Sequence, residues 1–289
     1  MVHLNQTFEY LNHYASTIRR YSLAAIYHAG SGHPGGALSC ADLLAYLMNR
    51  EIKWKPENTG YGQENRLVLS KGHACPALYA AAAEQGLLQK QALLELRKLG
   101  SLMQGHPHVG CLPWVETSTG SLGQGFSVAI GMALGLRYKG ELSRTYVILG
   151  DGELQEGEIW EGAMFAAHHK LNNLCAIIDY NKMQSDDLNE NIIGLEPLPL
   201  KWEAFNWHVI QIDGHNFEQI EEAVEEAKMI KEKPVVIIAH TIKGKGVSYM
   251  EGSPLWHGSV KLSSEELEQA LSDLDTRKED IGRFLDGAV

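Results

Sequence analysis

Asp151 and Asn181 are the residues best placed for chemistry, because each follows the end of an apolar run. One run, Tyr146 to Leu149, stops at Gly150-Asp151-Gly152; the other, Leu174 to Ile178, stops at Asp179-Tyr180-Asn181. Asp151 is an anionic oxygen ligand and Asn181 a neutral one. Mg²⁺ takes few protein oxygens and completes its octahedron with phosphate and water. Gly152 lets a phosphate approach the backbone, and a helix start beyond it offers free N–H groups. The pair reads as a Mg²⁺-diphosphate site; the plainer alternative is a strand-to-helix turn in which Asp151 caps the helix.

Four histidines form a second set. His33, His73 and His106 each follow a glycine, and His257 precedes Gly258. One such histidine reads as a polar loop residue. Four, in separate loops, read as the lining of a cleft that hydrogen-bonds hydroxyls and phosphates and moves protons near neutral pH. Lys243 and Lys245, in Thr241-Ile242-Lys243-Gly244-Lys245-Gly246, read equally as cations for a phosphate or as a solvated turn. His106-Pro107-His108 and His168-His169 lack a third ligand nearby, which argues against zinc.

These groups need a frame. Both apolar runs are short, β-branched and apolar on both faces, as buried parallel strands are. Ile159, Ala163, Phe165 and Ala166 recur between them at roughly helical spacing. The result is a strand–helix–strand unit, and ligands of such sheets bind beyond the carboxyl ends of the strands. Around it the patterning predicts helices over Leu4–His28, Ser39–Asn49, from near Ala77, on to about Leu99, over Phe126–Leu136 and over Phe217–Met229. Strands are expected at Arg66–Leu69, Trp207–Ile212 and Pro234–Ala239. A loop is expected from Lys182 to about Leu200, and an exposed acidic helical tail from Ser263. The small residues of Phe126–Leu136 suit a helix packed closely on the sheet or on another subunit. Strands and helices alternate with no linker rich in Pro, Gly or Ser. The expected fold class is α/β: residues 1–289 as a single doubly wound domain, with a mostly parallel sheet and helices on both faces.

Composition narrows the class of function. The chain has 289 residues, 44% of them hydrophobic, and a net charge of −11. That balance argues against a nucleic-acid or anionic-membrane partner, so any anion pocket must be local. No apolar run approaches a membrane span and no signal-peptide pattern is present. Cys40, Cys75, Cys111 and Cys175 are widely spaced, which suits reduced thiols in a cytoplasmic protein.

Gly-Asp-Gly followed after about thirty residues by Asn resembles the fingerprint of thiamine-diphosphate enzymes, and the surrounding residues resemble transketolase. The motifs are Ser31-Gly32-His33-Pro34-Gly35, Leu69-Ser70-Lys71-Gly72-His73, Gly105-His106-Pro107, Thr119-Gly120-Ser121-Leu122-Gly123-Gln124-Gly125 and Gly150-Asp151-Gly152-Glu153-Leu154-Gln155-Glu156-Gly157, in the family's order. The resemblance covers nearly the whole chain. It implies that Asp151, Asn181 and the Met183 carbonyl bind Mg²⁺. It implies that Gly152 and Asn181 hold the diphosphate of thiamine diphosphate, with His73 and His257 close to it. Gly120 and Leu122 would meet the cofactor's rings through backbone groups. Ser121 and Glu153, in the same motifs, join the cofactor-binding set. His33, His106 and His257 are implied as catalytic residues that line the sugar channel.

Family members usually carry proline where Ser121 stands and an acidic residue where His108 stands. The Lys243 segment is closer to that of 1-deoxyxylulose-5-phosphate synthases. Full transketolases continue into a pyrimidine-binding domain, which supplies the activating glutamate. The chain is therefore expected to be the N-terminal subunit of a split transketolase, paired with a C-terminal subunit, with a heterotetramer as the minimal assembly. The implied reaction moves a two-carbon ketol unit from a ketose phosphate to an aldose phosphate, with the cofactor as electron sink. Three rivals are a split 1-deoxyxylulose-5-phosphate synthase, a 2-oxo acid dehydrogenase α subunit, and a non-catalytic subunit that keeps the fold. The Glu153–Gly157 segment and the His106 loop speak against the first, and the four-histidine set against the second. Intact Asp151, Asn181 and histidines speak against the third.

Overall fold

A computed structural model describes residues 7–53 and 65–289. Five strands, β1 (Arg66–Leu69), β2 (Thr145–Gly150), β3 (Leu174–Tyr180), β4 (His208–Asp213) and β5 (Val235–His240), form one sheet in the order β1-β2-β3-β5-β4. Every neighbouring pair is parallel. Strand alternation divides the core into two layers. Tyr146, Ile148, Cys175, Ile177, Val235 and Ile237 face one layer, and Val147, Leu149, Ala176, Ile178, Val236 and Ile238 the other. Burial on both faces explains why the strands read as continuous apolar runs.

The helices, in chain order, are α1 (Phe8–Ala29), α2 (Pro34–Ser39), α3 (Ala41–Tyr46), α4 (Cys75–Glu84), α5 (Gln124–Tyr138), α6 (Gly157–His168), α7 (Asn189–Ile192), α8 (Leu198–Ala204), α9 (Phe217–Met229), α10 (Ser264–Asp273) and α11 (Lys278–Asp286). The first layer is filled from α1, α3, α4, α9 and α10, the second from α5, α6 and α8. Because β4 lies outside β5, the chain reverses its direction across the sheet after β4. A right-handed crossover then puts α9 on the face opposite α6 and α8. The doubly wound expectation holds.

Several boundaries differ from the sequence reading. The first helix starts at Phe8, capped by Thr7, and Gly30 in the left-handed region ends it; positions 4 to 6 lie outside the described residues. Ser39–Asn49 is not one helix. The chain breaks at Cys40 between α2 and α3, with Ser39 turned to hydrogen-bond Asp179, and a wide turn over Leu47–Glu51 follows. The segment toward Leu99 forms only a short 3₁₀ turn, Lys90–Glu95, and Arg97 takes a left-handed φ of 61° that stops it. The loop after Lys182 contains α7, and its prolines open α8 from positions compatible with a first helical turn. The tail is helical but not wholly exposed: Leu267, Ala270 and Leu271 are buried at the spacing of an apolar face of α10, and Ile281 is buried on α11.

Helix α5 resolves its two readings by face. Phe126, Ala129, Ala133 and Leu136 are buried in the second core layer. Val128 on the outer side is 38% exposed, and a Cβ added at Gly131 or Gly135 would meet nothing within 4 Å. Phe126 sits among Trp202 and Trp207, with ring centroids 6.2 and 6.0 Å away. Phe126→Ala should cost about 3–5 kcal/mol, as loss of a buried aromatic does. Urea unfolding followed by tryptophan fluorescence measures it, and a cost near zero would show that this aromatic cluster does not hold the second layer.

Candidate active site

The carboxyl ends of β1, β2 and β3 open into a cleft of about 240 Å³. His33, His73, His106, His257, Lys71, Lys243, Gly120, Leu122, Asp151, Gly152, Glu153, Asn181 and Met183 line it. Sequence places these residues on separate loops; the parallel sheet brings the loops to one edge.

An ion pair sets the floor. Lys71, just past β1, pairs with Asp179 near the end of β3, and both are buried. Lys71 Nζ also donates to the Gly36 carbonyl at 2.9 Å. Asp179 accepts from Ser39 Oγ at 2.6 Å and from Thr241 Oγ1. Burial would lower the Lys71 pKa, yet Asp179 beside it holds it above the ordinary lysine value. Burial would raise Asp179, but Lys71 and the two hydroxyls hold it below the ordinary carboxylate value. The pair is therefore charged.

Asp151, past β2, is in the opposite situation. Its carboxylate accepts backbone N–H bonds from Gly152 at 2.8 Å and from Lys182 at 2.5 Å, and among the described residues no side-chain cation is bonded to it. Burial, then repulsion from Asp179, push its pKa up to about 7. A divalent cation would supply the missing charge. Among the described residues no group of three His, Cys, Asp or Glu could hold a metal. A cation here would depend on the Asp151 carboxylate with amide and carbonyl oxygens such as Asn181 Oδ1 and the Met183 carbonyl. That donor set of hard oxygens fits Mg²⁺ with phosphate completing the shell, and not zinc.

Glu153 lines the cleft, but its oxygens are engaged: Oε1 accepts from Ser70 Oγ at 2.5 Å and Gly123 N at 2.9 Å, and Oε2 accepts from Gly150 N at 3.0 Å. Its carboxylate joins the exits of β1 and β2 to the start of α5. Ser121 is exposed and lies outside the lining.

Three of the four histidines form a triangle. Ring centroids are 5.2 Å apart for His33 and His73, 5.3 Å for His73 and His257, and 5.8 Å for His33 and His257. The bridge Gly32–Val260 ties the first and last loops together. Gly258 has no alternative: a Cβ there would lie 2.3 Å from the His33 ring. His106 stands at the side, its Cδ2 3.3 Å from where a Cβ on Gly120 would be. Burial and neighbouring cations keep these imidazoles neutral. The His33 pKa falls to about 4, through burial and then Arg97, and that of His257 to about 3, through burial and then Lys243. His73 and His106 are also lowered, chiefly by burial.

The two lysines part company. Lys243 is 2% exposed; it donates to His257 Nδ1 at 2.7 Å and the Gln184 carbonyl at 3.0 Å, and burial lowers its pKa to about 8. Lys245 sits in the solvated turn, 3.6 Å from Glu251. Sequence reasoning missed Lys71, Asp179, Ser39 and Arg97. The signal for the first pair was a lysine and an aspartate at the ends of apolar strands, where solvation is poor.

The strand exits of this parallel α/β sheet gather Asp151, Asn181 and a histidine triangle, an arrangement whose chemistry suits a phosphorylated cofactor. The family model described as "Transketolase, thiamine diphosphate binding domain" matches residues 11–279. The chain is 46% identical over 265 residues to the 6-deoxy-6-sulfo-D-fructose transketolase subunit SqwG of Clostridium sp. (strain MSTE9), covering 92% of this chain and 96% of that one. It is 37% identical to an apulose-4-phosphate transketolase subunit from Phocaeicola vulgatus, covering 93% and 95%. The solved transketolase of Campylobacter jejuni superposes with a TM-score of 0.87 at 32% identity, over 98% of this chain and 46% of that one. The chain thus spans just under half of a full transketolase chain and nearly all of each related subunit. It belongs to the transketolase family, as an N-terminal, thiamine-diphosphate-binding subunit of a ketol-transferring enzyme.

The depressed His33 value has a consequence for stability. Between about pH 4 and the unfolded-state value of 6.5, the unfolded chain binds a proton that folded His33 refuses. This residue therefore costs stability as pH falls from 7 toward 4, and nothing above 7. In His33→Gln that cost is absent, so the variant should gain on the wild type as pH drops from 7 to 4.5. Melting temperatures across that range check it; a constant gap would mean that His33 titrates normally.

Proposed function

We propose that residues 1–289 act as the diphosphate-binding domain of a transketolase whose catalytic centre is completed by a C-terminal, pyrimidine-domain subunit in a heterotetramer. The gathering of Asp151, Asn181, Met183 and the four histidines at one sheet edge carries this reading. Asp151, Asn181 Oδ1 and the Met183 carbonyl hold Mg²⁺, and Gly152, Asn181 and His73 hold the diphosphate. Lys243 adds a buried cation on the same side. Gly120 and Leu122 present backbone to the cofactor's rings. Bound thiamine diphosphate supplies the electron sink on which a two-carbon ketol unit is carried. The chain's own residues do the rest. His33, His106 and His257, neutral at pH 7, orient sugar hydroxyls and pass protons to and from them. The donor is a ketose and the acceptor an aldose, each with an anionic end group. Phosphate is the expected group; the name of the 46% relative shows that sulfonate serves elsewhere in the family.

Among the described residues no helix is long and apolar enough to cross a membrane. All four cysteines are free, three of them buried, which supports placement in the reducing cytoplasm.

Three outcomes test the proposal. Asp151→Asn should abolish Mg²⁺-dependent binding of thiamine diphosphate to the paired subunits, read by calorimetry; unchanged affinity would remove Asp151 from the metal site. His106→Ala should lower turnover by about 10²–10⁴, the usual contribution of an acid–base group, with cofactor affinity within a few-fold of wild type. Collapse of cofactor affinity with normal turnover of the loaded enzyme would move His106 to the diphosphate site. The purified chain alone, with saturating Mg²⁺ and cofactor, should transfer no ketol unit. Turnover on the order of 1–10³ per second would refute the need for a partner.

A further inference from the structure

We propose that Arg97, aimed by Ser31, is a positioning residue that holds the His33 ring as its neutral Nε2–H tautomer. Its meaning for catalysis rests on the ketol-transfer reading above; its geometry does not. Arg97 lies outside the cleft lining, behind the histidines. Its Nη1 donates to Ser31 Oγ at 2.7 Å and its Nη2 reaches His33 Nδ1 at 3.3 Å. A guanidinium has donors and no acceptor, so the nitrogen it meets must present a lone pair. In a neutral ring the proton then sits on Nε2. The Cδ2–Nε2 edge faces Gly258, next to His257: a Cβ on Gly258 would lie 2.3 and 2.4 Å from those two atoms. His33 therefore presents a donor on the side of the His257 loop.

Arg97 is itself held in place. Its left-handed backbone, φ 61°, ends the preceding turn, and its N–H donates to the Met103 carbonyl at 2.8 Å. A Cβ on Gly105 would lie 2.8 Å from Arg97 Nε, so glycine beside His106 leaves the room the side chain occupies. One arginine thus joins the His33 loop to the His106 loop. Among the described residues no carboxylate lies within salt-bridge distance of it, so its charge acts on the imidazoles. The charged or titratable groups that face His33 are Arg97, His106 and Lys243 by charge and His73 and His257 by ring contact. These cations and the burial of the ring favour the neutral form, which agrees with the tautomer the guanidinium imposes. Lys243 meets His257 Nδ1 in the same way.

The bland alternative is a loop staple without effect on the ring. Long-range ¹⁵N–¹H spectra of histidine-labelled chain separate the two, with the His33 signals assigned by their loss in His33→Gln. The wild type should show His33 as the Nε2–H tautomer, and Arg97→Met should show a mixture of tautomers with protonation beginning at higher pH. In the enzyme reconstituted with its partner subunit, Arg97→Met should lower kcat/KM about tenfold or more, part of the ~10²–10⁴ that an acid–base group contributes. The acid limb of its pH profile should move upward, cofactor affinity should stay within about twofold, and Arg97→Lys should restore part of the rate. Should Arg97→Met fail to fold, Ser31→Ala releases the guanidinium's second anchor and should broaden the tautomer mixture. An Nδ1–H tautomer in the wild type, or an unchanged tautomer and pH profile in the variants, would overturn the proposal even if stability fell. A reconstituted wild type that transfers no ketol unit would count against the function, while the spectra still decide the tautomer.

Discussion

The buried pair Lys71–Asp179 is the constraint on which the rest of the site depends. Removing two charges from water costs several kcal/mol per ion after relaxation, and attraction alone offsets this only with good geometry and further hydrogen bonds. Those bonds are present. Ser39, Thr241 and the Gly36 carbonyl surround the pair, so it ties the exits of β1, β3 and β5 to α2. Gly36 comes within 3.3 Å of both Lys71 and His73, measured from an added Cβ, so the loop that carries His33 is drawn down onto the same point. Four chain segments far apart in sequence meet at one ionic node.

That node also fixes the electrostatics above it. Because Lys71 is bonded to Asp179, it is not bonded to Asp151, and Asp179 adds a second negative charge nearby. The carboxylate at the exit of β2 is thus left with backbone donors and a raised pKa. The other buried lysine of the cleft, Lys243, is bonded to an imidazole and to carbonyl oxygens. Cation and anion coexist in the cleft without neutralising one another. Such a separation is costly in a free protein; under the proposed function a divalent cation and a phosphate would each find its complement already oriented.

The sheet was legible because its physics is local to each strand. Tyr146 to Leu149 and Leu174 to Ile178 are apolar on both faces, and in a chain that alternates with helices few elements besides a buried parallel strand carry that pattern. The pairing order was not legible, since no local pattern says that β5 inserts between β3 and β4. Residues with a chemical signature, Asp151, Asn181 and the glycine-flanked histidines, could be picked out by type and spacing. Residues that act through others could not. Ser39 reads as a helix start, Asp179 as one more polar residue after a strand, and Arg97 falls unremarked in a segment expected to be helical. Each has its role only through partners 62 to 140 positions away. Glu153 shows the converse: its motif places it at the cofactor, while Ser70, Gly123 and Gly150 take up its carboxylate.

Net charge was the least informative property, and the structure explains why. The excess of 36 acidic over 25 basic residues lies largely on surface elements such as α9 and α10, whose outward positions are rich in glutamate. At physiological ionic strength exposed charges are screened over about 8 Å, so this shell has little reach into a cleft. In the cleft and its floor the balance is decided by Lys71, Lys243, Asp151, Glu153 and Asp179, buried and poorly screened, with Arg97 behind the histidines. An acidic protein can therefore hold a local cleft suited to anions, as the proposed function requires. Each cation near the site is already engaged by a partner of its own. Asp179 secures Lys71, His257 secures Lys243, and His33 with Ser31 secures Arg97.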